Sequence, residues 1–195
     1  KGKIKRLLQD DEFKFYIGIV IFATIIFVLI VGCTTRIDTI SHFEKIFRDC
    51  LFQVVSIITT TGFSTYDYQL WNKTIFVFVV LLMLTGASAG STSGALKLSR
   101  VVILLKNSFY EFKRRLHPNA YLPIKINGHV IPETVVNSTF SFLIIYLFLI
   151  MIGAVTMSFV GLSLSDSLGI SISMVGNIGP AFGDFGPSGT FLALP

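Results

Sequence analysis

Residues 56–65 read SIITTTGFST, and no charged side chain occurs from Cys50 to Tyr66. The stretch is apolar enough to enter a membrane, yet it ends in residues that form helices poorly. What remains for chemistry is oxygen: threonine and serine hydroxyls and backbone carbonyls. A short helix over about 51–59 points its partly negative C-terminal end at the segment that follows. Gly62 opens backbone angles closed to other residues, so the carbonyls of an extended TTGFS can face one axis. A bare cation entering a low-dielectric interior loses on the order of tens of kcal/mol of hydration by Born estimates. A ring of carbonyls can replace that water. A second run, Asn177-Ile178-Gly179-Pro180-Ala181, is looser but keeps a central glycine. An ordinary extracellular turn with a glycine is the alternative for either run alone. Two at matched places, each behind an apolar half-helix, favour coordination.

A third stretch, LTGASAGSTSGALK at residues 84–97, admits three chemistries. Gly86, Gly90 and Gly94 form GxxxGxxxG, a face for close helix packing. Gly86-Ala87-Ser88-Ala89-Gly90 also fits the G-x-S-x-G pattern of serine hydrolases. That chemistry needs a histidine base, and His42, His117 and His129 all fall in segments expected to be aqueous. The pattern is therefore not read as an enzyme. In the third reading the helix breaks: Thr85 to Gly94 is ten residues with no bulky apolar side chain. Non-helical backbone is tolerated at membrane depth where it lines a cavity, and a flexible loop there would act as a gate. The gate is favoured over packing.

The elements that must position these stretches are membrane helices. Apolar residues make up 52% of the chain, charged residues 14%, and the mean hydropathy is +0.74. A span needs roughly 20 apolar residues. Phe15–Cys33, Thr74–Leu96 and Thr134–Ser165 run 19, 23 and 32 residues without a charge. Residues 97–133 carry seven Lys/Arg (Lys97, Arg100, Lys106, Lys113, Arg114, Arg115, Lys125) against Glu111 and Glu133, whereas residues 34–49 are balanced. The positive-inside rule makes 97–133 cytoplasmic and 34–49 external. The net charge of +5 thus orients the chain in lipid and does not point to nucleic acid. Cys33 and Cys50 fall on the outer side, where a disulfide is permitted; two buried thiols are favoured. The chain starts at Lys1 with no cleavage site after its first apolar run, which reads as the middle of a longer protein.

With that orientation, Cys50–Tyr66 begins and ends outside and must be a re-entrant loop. A shift of 117 places sets Leu51 on Leu168, Ser56 on Ser173, Gly62 on Gly179 and Asp67 on Asp184. The unit is helix, pore loop, helix, and the fold class is an all-α integral membrane protein of such repeats. Residues 1–96 form one repeat, 97–133 a connector, and 134–195 a second repeat that stops before its last helix. Within the connector, 97–117 reads as an amphipathic helix ended by Pro118. PIKINGHVIP at 123–132 reads as a hairpin turning at Asn127-Gly128. Tyr66, Tyr68 and Trp71 sit where an outer aromatic belt would.

Thr60-Thr61-Gly62-Phe63-Ser64 resembles the potassium-channel filter TVGYG in residue type and order. Together with GASAGSTSGALKLSR, RRLHPNAYLPIKINGHVIPE and GNIGPAFGDFG, in that order and spacing, the chain resembles the TrkH-type membrane subunits of the bacterial Trk/Ktr potassium transporter superfamily. The resemblance covers nearly the whole chain. It implies four repeats around one pseudo-fourfold pore in the full protein, of which this chain is the third and fourth. It implies a homodimer in the lipid of the bacterial inner membrane, with a cytosolic TrkA-like nucleotide-binding regulatory subunit and no cofactor beyond the transported potassium. Backbone at Thr60, Thr61, Gly62, Asn177, Ile178 and Gly179 would line the ion site, with potassium at Thr60, Thr61, Asn177 and Ile178. Gly86, Ala87, Ser88, Ala89, Gly90, Ser91, Thr92, Ser93 and Gly94 would form the gating loop. Ala181 stands where the family favours Gly, and Ala87-Ser88 where Gly-Cys is common. A two-repeat potassium channel completed by dimerisation, and a non-conducting scaffold or sensor, are the alternatives. Channel-like flux and proton or sodium symport are both left open.

Overall fold

A computed structural model describes residues 9–35, 39–117, 122–190 and 192. Helix α1 spans Asp11–Thr34. Asp10 caps it by accepting from the Glu12 N–H at 2.8 Å, and Asp11 and Glu12 place negative charge on its first turn, where the dipole favours it. Its composition is apolar all round, so packing decides which face turns inward. Val20, Ala23, Thr24, Phe27 and Val31 are buried, while Phe22 and Leu29 are exposed. That division fits one face against protein and one against lipid.

Helix α2, Ile40–Ile58, starts well before the short helix expected over 51–59. The charges that suggested an aqueous loop lie on one side of it. Glu44 and Arg48 pair across one turn at 3.4 Å, both well exposed. Ile46, Cys50, Gln53, Val54, Ile57 and Ile58 occupy the opposite, buried side. Helix α3, Lys73–Leu84, is capped by Asn72, which accepts from Thr74 N–H at 2.9 Å. It covers only the first half of the charge-free segment 74–96. Then follow α4 (Leu98–Leu116), strands β1 (Lys125–Ile126) and β2 (His129–Val130), α5 (Glu133–Phe159) and α6 (Leu164–Gly176). Asn127 and Gly128 both take positive φ, +51° and +80°, the combination a type I′ hairpin turn requires.

Among the described residues, α1 and α5 are long and apolar enough to cross a membrane, with window hydropathies of 2.8 and 2.5; α3 is apolar but only 12 residues long. The principal core joins both halves of the chain. Phe27 of α1, Val54 and Ile57 of α2 and Ile75, Val79 and Met83 of α3 meet Ile172, Ile178 and Phe182 from the second half. Trp71 meets Phe27 edge-on at 6.1 Å and stacks on Tyr66 at 5.6 Å. Ile103, Ile124 and Val136 form a small cluster that seats the hairpin against α4 and α5. Cys50 is buried and Cys33 exposed, both as free thiols; the expectation of two buried thiols holds for Cys50 only, because Cys33 lies in the last turn of α1, beyond its last buried residue Val31.

Helices α5 and α6 approach each other closely at Gly153. A Cβ on Gly153 would stand 2.4 Å from Ser171 Oγ, and that hydroxyl donates to the Ile150 carbonyl at 2.6 Å. Gly153→Leu should therefore push the pair apart, at a cost of roughly 1–3 kcal/mol for overpacking. The check is a lower thermal midpoint of the detergent-solubilised protein, with Ser171→Ala in the same background recovering part of the loss.

Candidate functional site

The glycine-bearing runs at the ends of α2 and α6 form two turns of the same build. Thr61 N–H donates to Ser56 O at 2.9 Å, and Ile178 N–H donates to Ser173 O at 2.9 Å. Thr60 N–H reaches Ile57 O at 3.0 Å, and Asn177 N–H reaches Met174 O at 3.2 Å. Each of these pairs is separated by the same 117 places that align the sequences. The backbone follows suit: Thr60 and Asn177 take φ of +54° and +58°, and Gly62 and Gly179 take +78° and +114°. A left-handed threonine costs roughly 1–2 kcal/mol, so the bonds back into α2 must hold Thr60 in place.

The two turns touch. A Cβ on Gly62 would lie 2.1 Å from the Ile178 carbonyl oxygen and 3.1 Å from Pro180 Cδ. Only glycine lets the first turn come this near the second. Gly179, by contrast, has nothing within 4 Å of where a Cβ would stand. Ile178 is buried at 3% exposure and anchors its turn in the main core.

The hydrogen bonds around the turns stop short of the centre. Ser56 Oγ donates to Phe63 O, and buried Gln53 donates to Tyr66 O at 2.7 Å. Tyr68 OH donates to Ala181 O at 2.7 Å. The Gln69 side-chain amide grips Gly183 twice: its Nε2 donates to Gly183 O at 3.1 Å, and its Oε1 accepts from Gly183 N–H at 2.7 Å. Ser188 Oγ donates to Asp67. The flanking carbonyls are thus held. Among the described residues, no hydrogen bond ends on the carbonyls of Thr60, Thr61, Gly62, Asn177, Ile178 or Gly179. Of these six residues Ile178 is buried, Thr60 and Gly62 are half-buried, and Thr61, Asn177 and Gly179 are exposed, so five of the six lie outside the buried core in which backbone groups are nearly always paired within the protein.

The residues from Thr85 to Leu96 form a loop that closes on itself. Thr85 and Leu96 bridge in parallel, Leu96 N–H donates to Leu84 O at 3.3 Å, and Leu98 N–H donates to Ala87 O at 3.1 Å. Gly86 N–H donates to Leu96 O, and a Cβ there would stand 2.7 Å from that oxygen. Gly86, Ala87 and Ser93 are buried; Ser88, Ala89, Gly90, Thr92 and Gly94 are exposed, and Ser91 is half-buried. The loop lies close to the second turn, since a Cβ on Gly94 would reach within 2.2 Å of Val175 O at the end of α6. A cavity of about 370 Å³ opens between Ala87 and Ser88 of this loop, Thr59 at the end of α2, and Asp10, Glu12, Phe13 and Tyr16 at the start of α1.

Sequence reasoning singled out the glycines but not what braces them. Tyr68 and Gln69 act across 113 and 114 residues, and nothing local in YDYQLW marks a brace. Glu12, which lines the cavity, follows its aspartate neighbours in a stretch that reads simply as a polar lead-in. Pro180 is the one signal that was available, since its lack of an N–H suits a turn packed against a neighbouring carbonyl.

A family model described as TrkH, cation transport protein, matches residues 13–191. The Trk system potassium uptake protein TrkH of Escherichia coli (strain K12) is 29% identical over 183 residues, covering 92% of this chain and 37% of that protein. TrkG of the same strain is 28% identical over 180 residues, covering 92% of this chain and 36% of its own length. The crystal structure of the potassium transporter TrkH from Vibrio parahaemolyticus superposes with a TM-score of 0.83 at 27% identity, over 93% of this chain and 38% of that one. The chain thus spans a little over a third of the length of these relatives.

The brace at Gln69 is separable from the turns themselves. Gln69→Leu removes both exposed bonds to Gly183 and, because water can take their place, should destabilise the fold by only about 1 kcal/mol. Thermal unfolding of the solubilised protein measures it, with the α1 face left unaltered as judged by Trp71 fluorescence.

Proposed function

The chain belongs to the TrkH family of cation transport proteins, and from that membership we propose that it supplies two of the pore loops of a potassium-uptake protein in a bacterial inner membrane. The observation that supports this reading is the pair of matched turns, whose six backbone carbonyls accept no hydrogen bond among the described residues. A potassium ion arriving from outside would exchange its water for carbonyls of Thr60, Thr61 and Gly62 on one side and Asn177, Ile178 and Gly179 on the next. Ordered flanks matter here, because a ring that need not rearrange makes ion exchange fast. The pseudo-fourfold pore would take its other loops from the rest of the protein.

The remaining parts fit around that centre. The apolar outer faces of α1 and α5 meet lipid, and the basic connector 97–133 lies in the cytoplasm by the positive-inside rule. The loop from Gly86 to Gly94 sits beside the second turn and would gate the path below it. A second copy of the complete protein and a cytosolic nucleotide-binding subunit of the TrkA kind would complete the assembly. The transport needs no catalytic step in this chain.

Potassium uptake by the complete protein in a transport-deficient bacterial host tests the reading. The two glycines are changed separately. Gly62→Ser drives a side chain into the Ile178 carbonyl and so mixes folding with conduction. Gly179→Ser has room for its side chain and alters only the backbone angle. A strain of about 1–2 kcal/mol at that residue corresponds to roughly a tenfold effect. Uptake in Gly179→Ser should fall by that factor or more at an unchanged membrane level. Uptake equal to wild type would remove the turns from the conduction path and leave a scaffold or sensor as the better account.

A further inference from the structure

The first turn of α1 holds two parts of the molecule at once. Asp10 satisfies the helix start by capping Glu12 N–H, which leaves the next two acids free for longer reach. Asp11 faces the connector: its Oδ2 accepts from Asn127 N–H at 3.2 Å and from Lys106 Nζ at 3.2 Å, and its own N–H donates to Asn127 Oδ1 at 2.7 Å. Lys106 also donates to Lys125 O at 2.8 Å, so the whole hairpin base is gathered there. Glu12 faces the other way. Its Oε1 accepts from Ala89 N–H at 2.7 Å, across 77 residues.

The tip of the Thr85–Leu96 loop depends on that contact. Ser88, Ala89, Gly90 and Thr92 are exposed, and Ser91 N–H makes a turn bond to Ser88 O at 2.9 Å. Among the described residues, the bond to Glu12 is the one hydrogen bond that ties this tip to another element. A charge-assisted bond between a carboxylate and a backbone N–H is among the stronger single contacts a loop can have.

We infer that the first turn of α1 is a mechanical link between the cytoplasmic hairpin and the small-residue loop, with Asp11 fixing the turn against the hairpin and Glu12 fixing the loop against the turn. Moving the hairpin would move Asn127 and Lys106, hence the turn, hence Ala89. The link gives a partner that binds the connector a route to the loop without touching it. Its meaning for conduction rests on the gate reading above, whereas its existence does not.

Amide hydrogen exchange across residues 85–96 tests it in the complete protein, with rubidium flux into proteoliposomes measured on the same preparations. Glu12→Ala should speed exchange in the loop roughly tenfold by freeing it from its tether. Glu12→Gln keeps an acceptor oxygen and should stay within about threefold of wild type, because the charge but not the bond is lost. Asp11→Ala, which touches only the connector, should speed loop exchange by roughly fivefold or more if the two contacts are coupled. Unchanged loop exchange in Asp11→Ala overturns the link, whatever Glu12→Ala does, and unchanged exchange in Glu12→Ala overturns the latch itself. Deleting Ala89–Thr92 separates the two readings. Flux unaffected by that deletion removes the gate, while the exchange data still decide the link.

Discussion

Everything in this structure turns on the contact between Gly62 and the Ile178 carbonyl. Two chain segments that each end a helix are pressed together where a single Cβ would part them. That approach sets the Ile178 carbonyl directly against Gly62. It also explains the heavy bracing nearby. Left-handed residues at Thr60 and Asn177 are sparsely populated in an unconstrained chain, and the bond Tyr68 donates to Ala181 and the pair between Gln69 and Gly183 hold the two segments against each other. Braces at the edges and none at the centre leave the central carbonyls free for another partner.

The two halves reach this end by unequal means. Helix α2 is 19 residues long and begins among charges, whereas α6 has 13 residues and begins at Ser163, which caps it. Helix α5 is correspondingly longer than α1. Yet the bonds from Thr61 to Ser56 and from Ile178 to Ser173 have equal length. The helices leading into the turns differ in length and start, whereas the turns share their hydrogen bonds. Such a distribution is expected when backbone, not side chain, carries the working geometry, since many sequences can satisfy one backbone path.

Much of this was legible in the residue order, for identifiable reasons. Helix α1 follows from an unbroken apolar run, the hairpin from Asn127-Gly128, and the twin turns from glycines recurring at a fixed interval. The start of α2 was not legible, because Glu44, Lys45, Arg48 and Asp49 look like an external loop until they are seen to share one helix face. The grip of Gln69 on Gly183 and of Glu12 on Ala89 could not be read, since both are contacts between distant segments with no local pattern. Composition likewise could not say which face of α1 turns inward. Its buried residues are no more apolar than the exposed ones, and the partner helices decide.

The central claim is that the six unpaired carbonyls hold a dehydrated monovalent cation. The most direct measurement is anomalous scattering from the complete protein crystallised with rubidium or thallium in place of potassium. The account predicts an ion peak within coordination distance of the carbonyls of Thr60, Thr61, Asn177 and Ile178. Well-ordered turns with no ion between them, or a peak elsewhere in the protein alone, would contradict it.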